Sequence, residues 1–194
     1  MTSYSNVTLS QLLDAFASND PVPGGGSAAA LAAAVGVSLL IMVGTLPKTK
    51  SGTAEERSAL AVVVARLRPL RDRLAALVDR DSQAYASVID AYRLAKKDDA
   101  QKAARRQAIE RALQEATERP LETMRVGQQA LEHVETIAAN GSAAAASDVA
   151  VAIELLRAAV RGASFNVDTN LSDLKDVEYV QRARSELAHL VRGL

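Results

Sequence analysis

Between Pro21 and Pro47 the sequence carries no charged residue, and Ser27 to Leu46 is a run of small and apolar residues interrupted only by Ser27, Ser38 and Thr45. A helix of that length can cross a bilayer. Such a segment must therefore enter a membrane or be covered by protein on every side. Its first half is mostly Ala and Gly, no aromatic belt flanks it and no second apolar span lies nearby, which favours a buried central helix. A secretory signal fits poorly, because Asp14 and Asp20 stand where basic residues belong. The chain is expected in the cytoplasm, away from membranes. One bundle of 194 residues is a thin cover for such a helix, so a homodimer is expected as well.

The rest of the composition agrees with small-residue helix packing. Alanine fills 38 positions and aromatics only 3% of the chain, so the core must be made of side chains that let helix backbones come close. This predicts an all-α fold, a single-domain helical bundle over 1–194 around the central apolar helix. Zero net charge offers no field to draw in a nucleic acid. The absence of Cys removes disulfides and thiolate chemistry, and His133 and His189 lack the spacing of a ligand pair, so no metal site is expected.

Along the chain, Thr8-Leu-Ser-Gln11 has the form of a capping box opening a short amphipathic helix. The Pro and Gly cluster 19–26 breaks it, Ser27 starts the apolar helix, and Pro47 ends that helix. Thr53-Ala-Glu-Glu56 is a second capping box before a helical pattern reaching about Lys96, with Pro69 as a kink or break. A further helix runs from Asp98 to Glu118, and Pro120 resets the chain before another that stops near Asn140-Gly141. The apolar spacing from Ser147 to about Asn166 is again helical, 166–176 reads as a loop, and Val177 to Val191 forms the last helix.

Three constellations can carry chemistry. Gly24, Gly25, Gly26 and Ser27 run straight into a helix, so free backbone N–H groups and the helix dipole make a site for a carboxylate or polarised oxygen; a flexible turn with a Ser N-cap is the plainer reading. Asp81, Tyr85, Val88, Tyr92 and Lys96 fall on one helical stripe that could hold a flat heterocycle and move a proton on it. The competing reading packs both tyrosines in the core and sends Asp81 and Lys96 to solvent, with Asp79 solvated on the far face. The third set is Asp148 with Asn166 and Asn170. The asparagines would share a face if helical, but Asp148 lies about 27 Å from Asn166 along a straight helix. Either these residues meet different parts of an extended ligand, or the site is shared across a dimer, or Asp148 is only a helix cap.

Taken together, Pro23-Gly-Gly-Gly-Ser27 with its helix to Val43, Asp81-Ser-Gln-Ala-Tyr85, Tyr92-Arg-Leu-Ala-Lys96, Ser147-Asp148 and Gly162-Ala-Ser-Phe-Asn166-Val-Asp-Thr-Asn170-Leu resemble a known family. It comprises the cyclodeaminase domain of formiminotransferase-cyclodeaminase and the stand-alone bacterial methenyltetrahydrofolate cyclohydrolases. The resemblance implies a helical homodimer acting on a tetrahydrofolate derivative, without a prosthetic group. It implies Asp81 as the acid-base group, Lys96 tuning it or binding the ligand, and Gly24 to Ser27, Tyr85, Tyr92, Asp148, Asn166 and Asn170 holding the folate. With no room for a formiminotransferase domain, cyclohydrolase action is expected first. Cyclodeaminase action and a non-catalytic folate-binding dimer are the alternatives. Two departures stand out: Ala95 where the family has Pro, and Ser142 where it has Asn after Gly.

Overall fold

The computed structural model describes residues 3–46 and 52–192, and every regular element among them is helical. After a single 3-10 turn, Tyr4–Asn6, come α1 (Leu9–Phe16), α2 (Gly25–Thr45), α3 (Ala54–Arg93), α4 (Asp99–Leu131), α5 (Val134–Asn140), α6 (Ala146–Asp173) and α7 (Val177–Leu190). Both expected capping boxes form. Thr8 and Thr53 each accept the backbone N–H three residues on, and Gln11 and Glu56 return a bond to the cap.

Helix α2 packs on α3 and α6, and α4 closes the bundle against the same two. Ala30, Ala33, Val37 and Leu40 are fully buried at its centre. Contact is close because side chains are small: a Cβ on Gly36 would lie 3.0 Å from the Ala152 carbonyl oxygen and from Leu156 Cγ. Among the described residues α2 is the one helix long and apolar enough to cross a membrane, yet half of that stretch is inside the bundle.

Four sequence-based boundaries are corrected. Helix α2 begins at Gly25 rather than Ser27, with Gly24 as its N-cap, while Pro47 lies outside the described residues. Helix α3 runs unbroken through Pro69 and stops at Arg93, short of Lys96. Its end is closed by Arg105, whose guanidinium donates to the Tyr92 carbonyl at 3.0 and 3.2 Å and lies over the Tyr92 ring. Pro120 does not reset the chain either. It sits buried inside α4, and the break falls instead at Glu132-His133 before α5.

The fourth correction is at 166–173, which is helix and not loop. Polar propensity argued for a loop, but Val167 and Leu171 are buried at helical spacing and carry the segment as the last turns of α6. Glu110 then holds the short connection, accepting the N–H groups of Lys175 and Asp176. Helix α7 docks through Arg125, which grips both oxygens of Glu186 and one of Glu118.

Candidate active site

Helix α2 fills the groove between α3 and α6 only as far as Gly25. Beyond it lies a cleft of about 300 Å³ with Asp81 and Tyr85 of α3 on one wall and Asn166, Thr169 and Asn170 of α6 on the other. Ala116 of α4 and the Pro21–Gly26 segment complete the lining. The glycine turn, Asp81 and the two asparagines, three separate sequence signals, thus converge on one place.

Asp81 lies against the start of α2. A Cβ on Gly26 would stand 2.2 Å from its Oδ1, so only glycine permits the approach. Ser27 is buried in the first turn of α2, not an N-cap, and its Oγ lies 3.0 Å from Asp81 Oδ2, 2.9 Å from the Val78 carbonyl oxygen and 3.0 Å from Ser82 Oγ. Burial pushes the Asp81 carboxyl above its ordinary value, against bonds donated by the Ser27 hydroxyl and backbone N–H that pull it down. One hydroxyl rotation serves both states of the acid. Ionised, Asp81 accepts the Ser27 proton; protonated, it can donate to Ser27 Oγ while that hydroxyl turns to Val78.

Asn170 has a structural task that the sequence held in plain view. Pro120 has no N–H, so the carbonyl four residues before it, that of Ala116, lacks its helical donor. Asn170 Nδ2 supplies one at 3.0 Å. Asn166 Nδ2 donates to the Gly162 carbonyl at 3.0 Å and its amide packs over Gly25. Each amide spends one N–H on backbone and keeps its oxygen as an acceptor for the cleft. Ala116, Thr169, Ser82 and Val78 were not singled out from sequence; the spacing of Pro120 to Ala116 was the available clue for the first.

Other expected site residues fall elsewhere. Tyr92 is stacked under Arg105 at the end of α3, outside the cleft lining. Lys96 is exposed in the connection to α4, so the helical stripe that joined it to Asp81 does not exist. Ala95 in place of the family's proline does not let α3 run on. Asp148 occupies the first turn of α6 but does not cap it, since the N-cap is Ala145, and it lies at the opposite end of the helix from Asn166. Asn140 bonds the Thr136 carbonyl, and Ser142 precedes a short 3-10 turn. Asp79 is not simply solvated: it binds Ser3 and Ser5 hydroxyls and the Tyr4 N–H. Among the described residues, no three His, Cys, Asp or Glu side chains are grouped so as to hold a metal.

Residues 8–189 match the family model described as formiminotransferase-cyclodeaminase. The chain belongs to that family. A methenyltetrahydrofolate cyclohydrolase of Methylorubrum extorquens is 36% identical, the alignment covering 96% of this chain and 89% of that protein. The formimidoyltransferase-cyclodeaminase of Gallus gallus is 34% identical over 89% of this chain, which spans about a third (31%) of that longer protein. The crystal structure of a formiminotetrahydrofolate cyclodeaminase from Thermotoga maritima superposes with a TM-score of 0.84 at 25% identity, covering 95% of this chain and 88% of that one. Family membership and the helical bundle therefore agree with the resemblance carried by the motifs.

Proposed function

We propose that this chain is a methenyltetrahydrofolate cyclohydrolase, a cytoplasmic homodimer in which 1–194 forms one domain. The observation that carries the reading is the half-buried Asp81 carboxyl, shifted upward and pinned by Ser27 at the lip of a cleft whose other wall offers two amide oxygens. The near full-length likeness to the Methylorubrum extorquens enzyme supports it.

In this reaction water adds to the cationic methenyl carbon bridging N5 and N10. Asp81 takes a proton from the attacking water, which gives a neutral hydroxyl adduct. It returns that proton to N5 as the carbon–N5 bond breaks, the adduct hydroxyl loses its own proton, and the formyl group stays on N10. One proton is released overall. A carboxyl whose affinity for protons is raised suits both halves of the exchange. Gly25 and Gly26 at the start of α2 offer backbone N–H groups and a positive helix end to the substrate's polar edge, while Asn166 and Asn170 accept from its ring N–H groups. Release of ammonia from 5-formiminotetrahydrofolate would pass through an adduct at the same carbon, so a weaker activity of that kind is expected.

The test follows the methenyl chromophore of 5,10-methenyltetrahydrofolate. The protein should speed its loss above the spontaneous rate, and Asp81→Asn should cut turnover by about 10² to 10⁴. Asp90→Asn, an exposed position on α3, is the control. Equal turnover in all three proteins would remove Asp81 from the chemistry. Faster formation of the chromophore from the formimino compound than its breakdown would make the chain a cyclodeaminase.

A further inference from the structure

Two residues before Asp81, α3 carries a second carboxylate that the chemistry of the cleft leaves unused. Asp79 accepts the hydroxyls of Ser3 and Ser5, each at 2.8 Å, and the backbone N–H of Tyr4. Burial works against its charge, but these bonds, with one from the Ser5 N–H, outweigh it and hold the carboxyl below its usual value. At neutral pH the 3-10 turn Tyr4–Asn6 is therefore moored to α3 by an ionised acceptor. Positions 79 and 81 lie about 200° apart around a helix, so the mooring and the cleft occupy different sides of α3.

The moored turn fixes the ring of Tyr4, which packs half-buried against the core. Its hydroxyl donates to the Val22 carbonyl at 3.1 Å. Burial, with Asp20 and Asp79 nearby, pushes the Tyr4 phenol up, so it stays a donor at neutral pH. Val22 stands in the cleft wall beside Pro21 and Gly24, whereas Tyr4 does not line the cleft. That stretch of wall has little else to hold it. Gly24 caps α2 without a side-chain bond, and the Asp20 N–H bonds Ser18 two residues back. Among the described residues, the Tyr4 bond is the one hydrogen bond that joins 19–23 to a distant part of the fold.

We propose that Tyr4 is a positioning residue for the cleft: moored on Asp79, it pins the Pro21–Gly24 wall in its binding geometry before substrate arrives. The N-terminal turn acts on binding through Val22 and never meets the reacting carbon. Asp81 is set separately, by Ser27 in the first turn of α2, so wall and acid can be disturbed one at a time. A preset wall spares the substrate the cost of ordering it. One neutral hydrogen bond is worth about two- to tenfold in such an equilibrium. The effect on turnover rests on the cyclohydrolase reading; the tether does not.

Tyr4→Phe keeps the ring and removes the bond. KM for 5,10-methenyltetrahydrofolate should rise about two- to tenfold. The value of kcat should stay within about twofold, the pattern of lost binding geometry rather than lost chemistry. Asp79→Ala should raise KM in the same way, and Asp79→Asn less, because its amide oxygen still accepts. In a Tyr4→Phe background Asp79→Ala should add little, since both act through one tether. Additive effects on KM, or a loss confined to kcat, overturn the proposal. A second readout needs no substrate. The chain has no Cys, so Val22→Cys, which keeps the backbone carbonyl, is a single reporter thiol. Its reaction with a maleimide should quicken several-fold when Tyr4→Phe is added, and an unchanged rate overturns the tether. Both proteins should stay helical by circular dichroism; if the Tyr4→Phe protein does not, Asp79→Asn carries the same two comparisons. A wild type without turnover removes the cyclohydrolase reading and leaves the thiol rates to judge the tether.

Discussion

Asp81 is held where its charge is disfavoured, and this has a signature in stability as well as in rate. A carboxyl raised above its unfolded value contributes stability fully below that unfolded value, near pH 4, and loses it as pH rises through the folded one. At neutral pH Asp81→Asn is therefore expected to be more stable than wild type even while turnover collapses. Each kcal/mol recovered is worth roughly 2–4 °C in Tm for a chain of this size. The advantage should close as the pH of the melting experiment falls towards 4, roughly the ordinary Asp value. Gly26→Ala should do the opposite. Its methyl would displace the Asp81 carboxylate, so stability should fall by about 1–3 kcal/mol, read by urea unfolding, and turnover should drop with it. Asp81 and the glycine turn were picked out in sequence by residue type, and the structure brings them together at one cleft. The helical register of Lys96 with Asp81 was misjudged because periodicity alone could not foresee Arg105 closing α3 three residues earlier.

At the scale of the helix, Pro120 and Asn170 form one device. The proline removes a donor from the Ala116 carbonyl and the asparagine on α6 returns it, which ties two helices together at the floor of the cleft. Asn170→Ala should cost about 1–3 kcal/mol, because a polar atom at a buried position loses its partner. In a Pro120→Ala background the helix supplies its own N–H, so the same substitution should cost markedly less. A double-mutant cycle by denaturant unfolding reads the difference, and additive costs would show that the two residues act independently. Pro69 differs because it and Ala65 lie on an exposed face of α3, where water can serve the freed carbonyl. Sequence rules treat both prolines as breaks. What they omit is the side chain from another element that makes a buried one tolerable, which is also why 166–173 read as loop before Val167 and Leu171 were seen to face a core.

For the molecule as a whole, the all-helical class and the central role of α2 followed from composition, since an uncharged small-residue segment leaves few ways to fold around it. The meeting of four helices at one cleft did not follow, because it depends on where helices stop. Helix α7 adds a pH-sensitive seam against α4. The Arg125 bonds hold the Glu186 carboxyl below its usual value, so their contribution is present above about pH 4.3 and is lost as pH falls through the folded value. Amides of α7 should be less protected from deuterium exchange, relative to the intrinsic rate at each pH, near pH 3, at the acid end of the carboxyl range, than at pH 6, and Glu186→Gln should flatten that difference. The cleft, finally, is the space left by a helix shorter than its neighbours. One turn added to or taken from the start of α2 would shift the end wall by about 5.4 Å without altering a single residue of the side walls. The size of molecule admitted is thus governed by where one helix begins, a quantity that insertion or deletion in the loop before it can adjust while the packed interior stays untouched.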